Sequence, residues 1–325
     1  MTRYYMGISV KGMVIKMSLV SIVISTYNGE KYIAEQIDSI LKSSYKDVEI
    51  YICDDGSQDG TMDILRKYEE KYSDIIHVKQ NENNQGVTLN FLKAICRTTT
   101  DYVMLCDQDD VWKIDKIAMT LKRMRHMEAQ LDKKLPMAVF TDAKVVDGGL
   151  NTIEDSFFKS SHLNPRKTDL SHLLMENKLI GCTIMINASL RRVLQGFSLP
   201  VYAKLHDGWI GLIASSLGKI GYIDETTLLY RQHGNNVVGN QTFISYIKDR
   251  VSTLRKQKES LNILQRQAQE FLYLYGSIIS DENKAIIDRF ANLSKASMIG
   301  RRLDIIRYGY FKTGLIRNIG LMIII

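Results

Sequence analysis

The chain has 325 residues, of which 45% are apolar and 24% charged, an ordinary composition for a globular protein. With 3 prolines and no internal repeat or low-complexity tract, a long disordered linker is not expected. The net charge of +7 is uneven, because residues 241–325 hold 14 Lys and Arg against 7 Asp and Glu and so account for all of it. A neutral body with a basic C-terminal quarter predicts an anionic partner for that quarter.

Several classes of protein are disfavoured by what the sequence lacks. No apolar run approaches the roughly 20 residues that a membrane-spanning helix needs. Cys53, Cys96, Cys106 and Cys182 form no CxxC pair and no zinc-type spacing with histidine, so they are expected to be reduced, buried thiols in the cytosol. The basic C-terminal quarter contains no recognised nucleic-acid-binding module, and nucleic acid is not expected as a partner.

The first 18 residues are predicted to form an N-terminal arm. Lys11 and Lys16 interrupt its apolar stretch and no small-residue cleavage site follows, so the arm is a poor secretory signal. Met17 directly precedes the first predicted strand. Residues 1–16 are therefore expected to be either the product of an alternative translational start or an uninformative arm.

From Leu19 the sequence alternates between strand and helix patterns. Strands are predicted at LVSIVIST, VEIYICDD, IIHVKQN, DYVMLCD and MAVFTDAKVV, and helices at EKYIAEQIDSILKS, TMDILRKYEEKY, TLNFLKAIC and KIDKIAMTLKRMRHMEA. The first helix places Ile33, Ile37, Ile40 and Leu41 on one face. Strands separated by short helices predict an α/β fold with a mostly parallel, doubly wound sheet, right-handed crossovers and flanking helices. Such sheets bind ligands outside the carboxyl ends of their strands.

The periodicity weakens beyond Ala138. LIGCTIMIN is predicted to be a strand, HDGWIGLIASSLG a helix with Trp209, Ile210 and Ile213 inward, and YIDETTLLYRQHGNN a strand that leads into a loop. From Phe243 the pattern is helical, and ISYIKDRVSTLRKQKESLNILQRQAQEFLYLY is predicted to be one long helix. The domain boundaries are therefore drawn as 1–18, 19–240 and 241–325, the last a basic helical region.

Three carboxylates, Asp107, Asp109 and Asp110, follow the fourth predicted strand. Adjacent carboxylates repel one another, and burial penalises each of them unless it is paired or binds a cation. Mg²⁺ and Mn²⁺ favour carboxylates together with phosphate oxygens and water. Asp107 and Asp109 are therefore predicted to hold one of these ions; the alternative is a solvated acidic loop.

Polar residues also follow the first two predicted strands, at what should be the same edge of the sheet. Thr26, Tyr27 and Asn28 are predicted to form a wall for a nucleobase, with Tyr27 available for stacking, or else only a strand-to-helix turn. Asp54 and Asp55 are predicted to accept hydrogen bonds from a uracil or thymine and a sugar, or else to build the next turn. The sequence contains neither GxGxxG nor a P-loop here, which disfavours dinucleotide and P-loop sites.

Four motifs, VSIVISTYNGEKYIAEQIDSIL, IYICDDGSQDGT, NNQGVTLNFLKA and YVMLCDQDDVW, together resemble the family-2 glycosyltransferases of GT-A fold, over Leu19 to Val145. The resemblance implies that residues 19–240 form a nucleotide-sugar transferase domain. It further implies transfer from a nucleotide diphosphate donor with inversion at the anomeric carbon, usually with Mg²⁺ or Mn²⁺. By this resemblance Asp107 and Asp109 serve the metal and the diphosphate. The residues expected around the donor are Thr26, Tyr27, Asn28, Asp54, Asp55, Asn84, Gly86, Asp107 and Arg231.

Two downstream segments extend the resemblance. HDGWIGLIA matches the family's acidic-residue–aromatic motif, which makes Asp207 the expected catalytic base; the alternative is a helix N-cap, and the two roles are compatible. YRQHGNNVVG resembles a segment that closes over the donor, so Arg231 is expected at phosphate and His233 at the metal, unless His233 is simply solvated.

The words DQDDVW and YRQHGNN resemble bacterial rhamnosyltransferases of surface polysaccharide assembly. The resemblance implies a dTDP-rhamnose or UDP-hexose donor and a lipid-linked saccharide acceptor, for an enzyme that is cytoplasmic and peripheral on the inner face of the cell membrane. The non-enzymatic alternative is a catalytically silent nucleotide-sugar-binding scaffold of an assembly complex. Homo-oligomerisation is a further possibility.

The C-terminal segment is predicted to dock on that membrane, because basic and apolar residues alternate in it. The alternatives are a helical cap packed on the body and an oligomer contact. Its basic residues are Arg301, Arg302, Arg307, Lys312 and Arg317, set against Asp304. Its apolar residues expected at the lipid are Ile305, Ile306, Tyr308, Tyr310, Phe311, Leu315 and Ile316.

Overall fold

The structure is a computed structural model that describes residues 8–10, 13–15, 19–232 and 254–325. His233 and the first part of the predicted long helix, up to residue 253, lie outside the described residues. In the N-terminal arm, β1 (Ile8–Val10) and β2 (Met13–Ile15) pair antiparallel and form a sheet of their own.

The main sheet has the order β5-β4-β3-β6-β10-β8-β11-β7, with β9 added beside β8. Its strands are β3 (Val20–Thr26), β4 (Val48–Asp54), β5 (Ile76–Gln80), β6 (Tyr102–Cys106), β7 (Val111–Trp112), β8 (Met137–Val146), β9 (Thr152–Glu154), β10 (Met185–Asn187) and β11 (Lys219–Arg231). The strands β3 to β6 run parallel, as do β8 and β11, whereas β7, β9 and β10 run antiparallel to their neighbours. The predicted mostly parallel sheet is thus confirmed.

Helices cover the sheet and continue beyond it. They are α1 (Ile33–Leu41), α2 (Thr61–Lys71), α3 (Val87–Arg97), α4 (Lys116–Gln130), α5 (Phe157–Ser160), α6 (Leu170–Met175), α7 (Ala188–Gly196), α8 (His206–Leu217), α9 (Leu254–Tyr275), α10 (Asp281–Ala291), α11 (Met298–Tyr308) and α12 (Leu315–Ile324). In α1 the predicted inward residues Ile33, Ile37 and Ile40 are buried, and Leu41 is half-buried. The mixture of a mostly parallel sheet with flanking and C-terminal helices is the architecture that the periodicity predicts.

Most of the predicted strand LIGCTIMIN is not a strand in the structure. LIGCTIMIN forms a 3-10 turn at Gly181–Thr183 and only then the three residues of β10. The hydroxyl and the backbone N–H of Thr183 both donate to the Ile180 carbonyl, at 2.8 and 2.9 Å, and this closes the turn. The segment therefore bends beside the end of β6 before it enters the sheet antiparallel to β6 and β8.

The C-terminal helices share a core with the main domain. Trp209, Ile210 and Ile213 of α8 are fully buried, as predicted. The ring of Trp209 lies 5.2 Å from that of Phe271 and 5.9 Å from that of Tyr275, both on α9. Three aromatic side chains are buried at this one contact, so packing α8 against α9 removes a large apolar area from water. The predicted boundary at residue 240 therefore separates two segments that pack on each other.

We expect Phe271→Ala to lower the free energy of unfolding by about 3–5 kcal/mol, because it removes a fully buried ring and leaves a cavity beside Trp209. Urea denaturation measures this change. The control is Ile263→Ala on the same helix, where the side chain is 45% exposed and the change should stay within about 0.5 kcal/mol. Equal effects of the two substitutions would show that α9 does not share the core.

Candidate active site

One large cleft, with a volume of about 920 Å³, lies at the carboxyl ends of β3, β4 and β6. The three polar strand ends meet here, as the parallel sheet predicts. The Thr26 hydroxyl donates to Asp54 at 2.9 Å, and the Tyr27 backbone N–H donates to the Gln108 side chain at 2.8 Å. The strand-end residues on the cleft wall are Ser25, Thr26, Tyr27, Asp55, Asp107, Gln108 and Asp109.

Asp54 lies behind this wall. It is fully buried and does not line the cleft. Its carboxylate accepts from the hydroxyl of Thr26 and from the backbone N–H groups of Gly56 and Ser57, at 2.9–3.1 Å. Because both of its oxygens are used in this way, the geometry favours the turn-building interpretation for Asp54.

Asp55 does line the cleft, but its carboxylate also holds a loop. It accepts from the Asn81 side chain at 2.9 Å and from the backbone N–H groups of Gln85 and Gly86, at 2.9 and 2.8 Å. Gly86 has a φ of +83°, a conformation that favours glycine, and its N–H also donates to Asn84. Asn84 thereby reaches the cleft wall, whereas Gly86 does not line the cleft and instead precedes α3.

Tyr27 is the exposed aromatic surface of the cleft, with 46% of the residue accessible. Gln108, which sequence reasoning missed, fixes its backbone by accepting from the N–H and donating to the carbonyl, at 2.8 and 3.1 Å. A Cβ on Gly29 would lie 2.4 Å from Oε1 of the same Gln108 side chain, so a larger residue at position 29 would displace Gln108 from this position. Asn28 does not line the cleft; its side chain accepts from the Gln58 backbone at 2.9 Å and holds the neighbouring turn.

The acidic loop after β6 combines carboxylates that are half-buried or buried. Asp107 and Asp109 line the cleft, and Asp110 is buried behind them. Burial, and then the charges of Asp110 and Asp109, raise the pKa of Asp107 well above its usual value. Burial and the charge of Asp109 raise the pKa of Asp110 to about 7. Their mutual repulsion is the electrostatic condition that a bound cation relieves.

The donor set of this loop fits a hard divalent cation. Oxygen Oδ2 of Asp110 is buried, and within the described part of the chain no N–H or O–H group donates to it. Ligand atoms of Asp107, Asp110 and Cys182 lie within 4.8 Å of one another. Asp109, the predicted second ligand, lines the same cleft but is not in this group. Two or three carboxylates suit Mg²⁺ or Mn²⁺.

Arg231 does not face the cleft, and the geometry does not favour its predicted contact with phosphate. Its guanidinium donates to the backbone carbonyls of Asp109 and Gly148, at 2.8 and 2.5 Å, and to the carboxylate of Glu35. It also lies 4.4 Å above the ring of Tyr32. Arg231 is thus a structural cation that fixes the acidic loop from behind.

Asp207 lies in the first turn of α8 and lines the cleft with 8% of the residue exposed. It does not cap the helix, because Leu205 occupies that position. Its carboxylate accepts from the Gly208 backbone at 2.6 Å, and burial raises its pKa to about 6. The charge of Asp207 is one of those that raise the pKa of Asp107, so the structure brings these two carboxylates together.

His206, also missed by sequence reasoning, is the buried neighbour of this carboxylate on the cleft wall. Its ring stacks on Phe91 with centroids 4.0 Å apart, and burial lowers its pKa to about 3, so it is neutral near pH 7. The sequence signal that could have indicated His206 is its position directly before Asp207 in the segment HDGWIGLIA.

Comparison with known proteins finds similarity mainly in the N-terminal half of the chain. The family described as "Glycosyl transferase family 2" matches residues 21–177. The chain is 29% identical over 181 residues to the putative glycosyltransferase EpsE of Bacillus subtilis (strain 168), a match that covers 55% of this chain and 59% of EpsE. It is also 29% identical over 228 residues to the dTDP-rhamnosyl transferase RfbG of Shigella flexneri, covering 66% and 73% of the two chains.

Solved structures share the fold at low sequence identity. The structure of S. aureus TarS 1-349 in complex with UDP-GlcNAc has a TM-score of 0.55 and 18% identity, over 89% of this chain and 76% of that one. The mannosyltransferase PcManGT from Pyrobaculum calidifontis, in complex with GDP-Man and Mn²⁺, has a TM-score of 0.53 and 17% identity, over 93% and 78%. Over residues 21–177 the chain is thus similar to glycosyl transferase family 2, and its fold is that of the GT-A glycosyltransferases.

Proposed function

We propose that the protein is an inverting glycosyltransferase that moves a sugar from a nucleotide diphosphate donor to a hydroxyl of a growing, lipid-linked cell-surface polysaccharide. The observation that carries this proposal is the shared cleft, in which Asp207, with a pKa near neutrality, lies close to Asp107 beside the acidic loop. A base and a cation site that flank one space are what a displacement at a sugar carbon requires.

The donor end of the cleft is the edge of β3, β4 and β6. Tyr27 offers an exposed ring for a nucleobase, and Thr26, Asn84 and Asp55 surround it with polar groups. Asp107 and Asp109 would hold Mg²⁺ or Mn²⁺, which when bound neutralises the diphosphate of the donor and of the departing nucleotide. The complexes of TarS with UDP-GlcNAc and of PcManGT with GDP-Man and Mn²⁺ support this assignment. The donor we propose is dTDP-rhamnose or a UDP-hexose, in line with RfbG.

Asp207 acts as the base. It accepts the proton of the acceptor hydroxyl while that oxygen attacks the anomeric carbon and the nucleoside diphosphate leaves from the opposite side, which inverts the configuration. The carboxylate is buried and its pKa is raised, so it is a stronger base than an exposed aspartate. Burial lowers the pKa of His206 beside it to about 3, so His206 is the weaker base and Asp207 is the proton acceptor on this part of the wall.

The catalytically silent scaffold remains the second candidate. A domain that only bound a nucleotide sugar would have no use for a buried base next to a cation site, and this favours turnover. The two are separated by measuring release of nucleoside diphosphate from UDP- and dTDP-sugars with an extract of lipid-linked acceptors. Binding of a donor without release in any combination would favour the scaffold.

The C-terminal helices present an apolar face, which we call the docking face. It consists of large apolar side chains that are each at least 52% exposed: Met298, Ile299, Leu303, Ile306, Leu315, Ile316, Ile319 and Ile323. These residues recur on one side of α11 and one side of α12. Ile305 and Tyr310, predicted to contact lipid, are instead fully buried. The helical period turns Ile305 toward the body, and Tyr310, which follows the helix, donates its hydroxyl to the Ile286 carbonyl at 2.5 Å.

We propose that the docking face binds the inner leaflet of the cell membrane. Arg302 and Arg307 lie on α11 beside its apolar residues and would attract anionic lipid. No described helix is long and apolar enough to cross a bilayer. An enzyme held in this way would be cytoplasmic and peripheral, next to a lipid-linked acceptor. A contact between two copies of the chain is the alternative for this face.

We expect Asp109→Asn to lower the transfer rate at least about 100-fold, because it removes one charge that holds the cation without changing side-chain size. Titration of Mn²⁺ followed by electron paramagnetic resonance should show weaker binding, and the circular dichroism spectrum should not change. Asp281→Asn, at an exposed position, is the control. Full activity of the wild type in EDTA would contradict the cation role.

We expect Asp207→Asn to slow transfer by about 10²–10⁴-fold, the usual contribution of a general base, while donor affinity stays within about threefold. In the wild type, kcat/KM should fall as the pH drops through about 6, because protonated Asp207 cannot accept a proton. A cation beside Asp107 lowers this pKa, so the fall in kcat/KM shifts to lower pH when the cation is bound. The variant should lack this acid limb; a loss below about tenfold would place the base elsewhere.

We expect the triple variant Ile299→Gln, Leu303→Gln, Ile319→Gln to lose at least about tenfold in binding to anionic vesicles at low salt, since it removes three exposed apolar side chains from the docking face. Val201→Gln, also highly exposed but outside the face, is the control. Sedimentation with vesicles measures the change. If the wild-type chain does not bind anionic vesicles at low salt, membrane docking is contradicted. If the triple variant has a smaller mass in solution than the wild type, the face is a contact between two copies of the chain.

A further inference from the structure

A buried thiol lies beside the acidic loop, and the proposed reaction does not use it. Cys182 belongs to the 3-10 turn Gly181–Thr183, which bends beside the end of β6, and it is fully buried. One ligand atom each of Asp107, Asp110 and Cys182 lie within 4.8 Å of one another. Two carboxylates and one thiol therefore converge, although Cys182 is far from the acidic loop in the sequence.

The carboxylate of Asp110 is left with an acceptor that the protein satisfies poorly. Asp110 is 1% exposed, and its Oδ1 accepts from the Arg231 backbone N–H at 3.1 Å. Its Oδ2 is buried and receives no N–H or O–H from the residues that the structure describes. The group that meets this carboxylate is the S–H of Cys182, which is a weak donor. Burial of such an oxygen is costly, and a cation would satisfy it.

The nearby positive charge offsets only part of the negative charge. Lys116 is fully buried and is a positive neighbour of Asp110. Its ammonium donates to the Thr227 hydroxyl at 3.2 Å and lies 4.7 Å from the centre of the Trp112 ring. One lysine is thus set against the three carboxylates of the loop. A divalent cation among them would relieve the repulsion that remains.

The thiol changes which divalent cation fits this group best. Mg²⁺ prefers oxygen ligands in near-ideal octahedral geometry, whereas thiolate ligands favour softer cations such as Zn²⁺. Two carboxylates and a thiolate are three protein ligands, the number in zinc sites that keep one position open for water or substrate. The open side of this group is the cleft, because Asp107 lines it and Asp110 and Cys182 lie behind.

We propose that Cys182 is a third ligand of the active-site cation, together with Asp107 and Asp110. The thiolate then binds borderline and soft cations more tightly than oxygen ligands alone would, and of the two ions in the proposed function it favours Mn²⁺ over Mg²⁺. This proposal rests on the proposed function and deepens its cation site. Asp109, on the cleft wall outside this group, attracts the same ion through its charge.

Co²⁺ is a suitable probe, because a Co²⁺–thiolate bond gives an intense near-ultraviolet absorption band that oxygen ligands do not give. We expect the wild-type chain to show this band when it is titrated with Co²⁺ in the presence of UDP. Cys182→Ser should lose the band, since a hydroxyl of similar size replaces the sulfur. Its affinity for Cd²⁺ should fall at least about tenfold in calorimetry, while its affinity for Mg²⁺ changes less than about threefold.

Cys106→Ser is the matched control. Cys106 is also fully buried and directly precedes Asp107, but it is not in the group of converging ligand atoms. Its thiol donates to the Asp107 carbonyl at 3.2 Å, a bond that a serine hydroxyl can also make. The band and the Cd²⁺ affinity should therefore stay at the wild-type level in this variant.

The outcomes separate this proposal from the function on which it rests. A wild-type Co²⁺ complex without the band, or an equal band in Cys182→Ser, would overturn the thiol ligand, while the bound ion leaves the cation role intact. Failure of every divalent cation to bind, with or without UDP, would count against the proposed function itself. If Cys182→Ser does not fold, X-ray absorption of the Zn²⁺-loaded wild type replaces it: one sulfur at about 2.3 Å is expected, and a shell without sulfur would overturn the proposal.

Discussion

The repulsion among the carboxylates after β6 is the constraint on which the rest of the site depends. Asp107, Asp109 and Asp110 lie within four residues at the end of a fully buried strand, where charge is costly. Arg231 compensates from behind: its backbone N–H donates to Asp110, and its guanidinium ties the Asp109 carbonyl to Glu35. Removing the guanidinium would take away the contacts to the Asp109 carbonyl and to Glu35 that fix the loop, while the buried Lys116 would remain a positive neighbour of Asp110.

The same repulsion links the acidic loop with Asp207, the residue that we propose as the base. Asp207 raises the pKa of Asp107, and since such coupling is reciprocal, an ionised Asp107 also raises the pKa of Asp207. Neutralising the acidic loop therefore favours the ionised form of Asp207. In the reaction that we propose, a donor that arrives with its cation would favour the form of Asp207 that accepts a proton.

The sequence alone predicted the sheet and the meeting of its strand ends, because apolar periodicity and parallel topology decide both. It could not decide which way each polar side chain points. Asp54 and Asp55 are neighbours, yet only Asp55 lines the cleft, and Arg231 points away from it. Likewise Ile305 and Ile306 are adjacent in one helix, and the first is buried while the second is 61% exposed. Both residues are isoleucine, so the sequence alone cannot tell which is buried; that depends on how the helix packs on the body.

Contacts across long stretches of the chain explain what sequence reasoning missed in the C-terminal region. Glu176 accepts from Arg317 at 3.0 Å and from the Thr313 backbone at 2.8 Å, so a short loop after α6 holds the last helix against the cleft. Burial raises the pKa of Glu176, but the charges of Lys178 and Arg317, together with the Thr313 backbone contact, keep it below its usual value. Deleting the residues after Ser297 would remove Thr313 and Arg317. Glu176 would lose both of these partners, Lys178 would lose the Thr313 hydroxyl, and the cleft would open. The region is therefore at once a cap on the body and a surface toward its surroundings, and its outward role can be separated from its inward one only by changing exposed side chains.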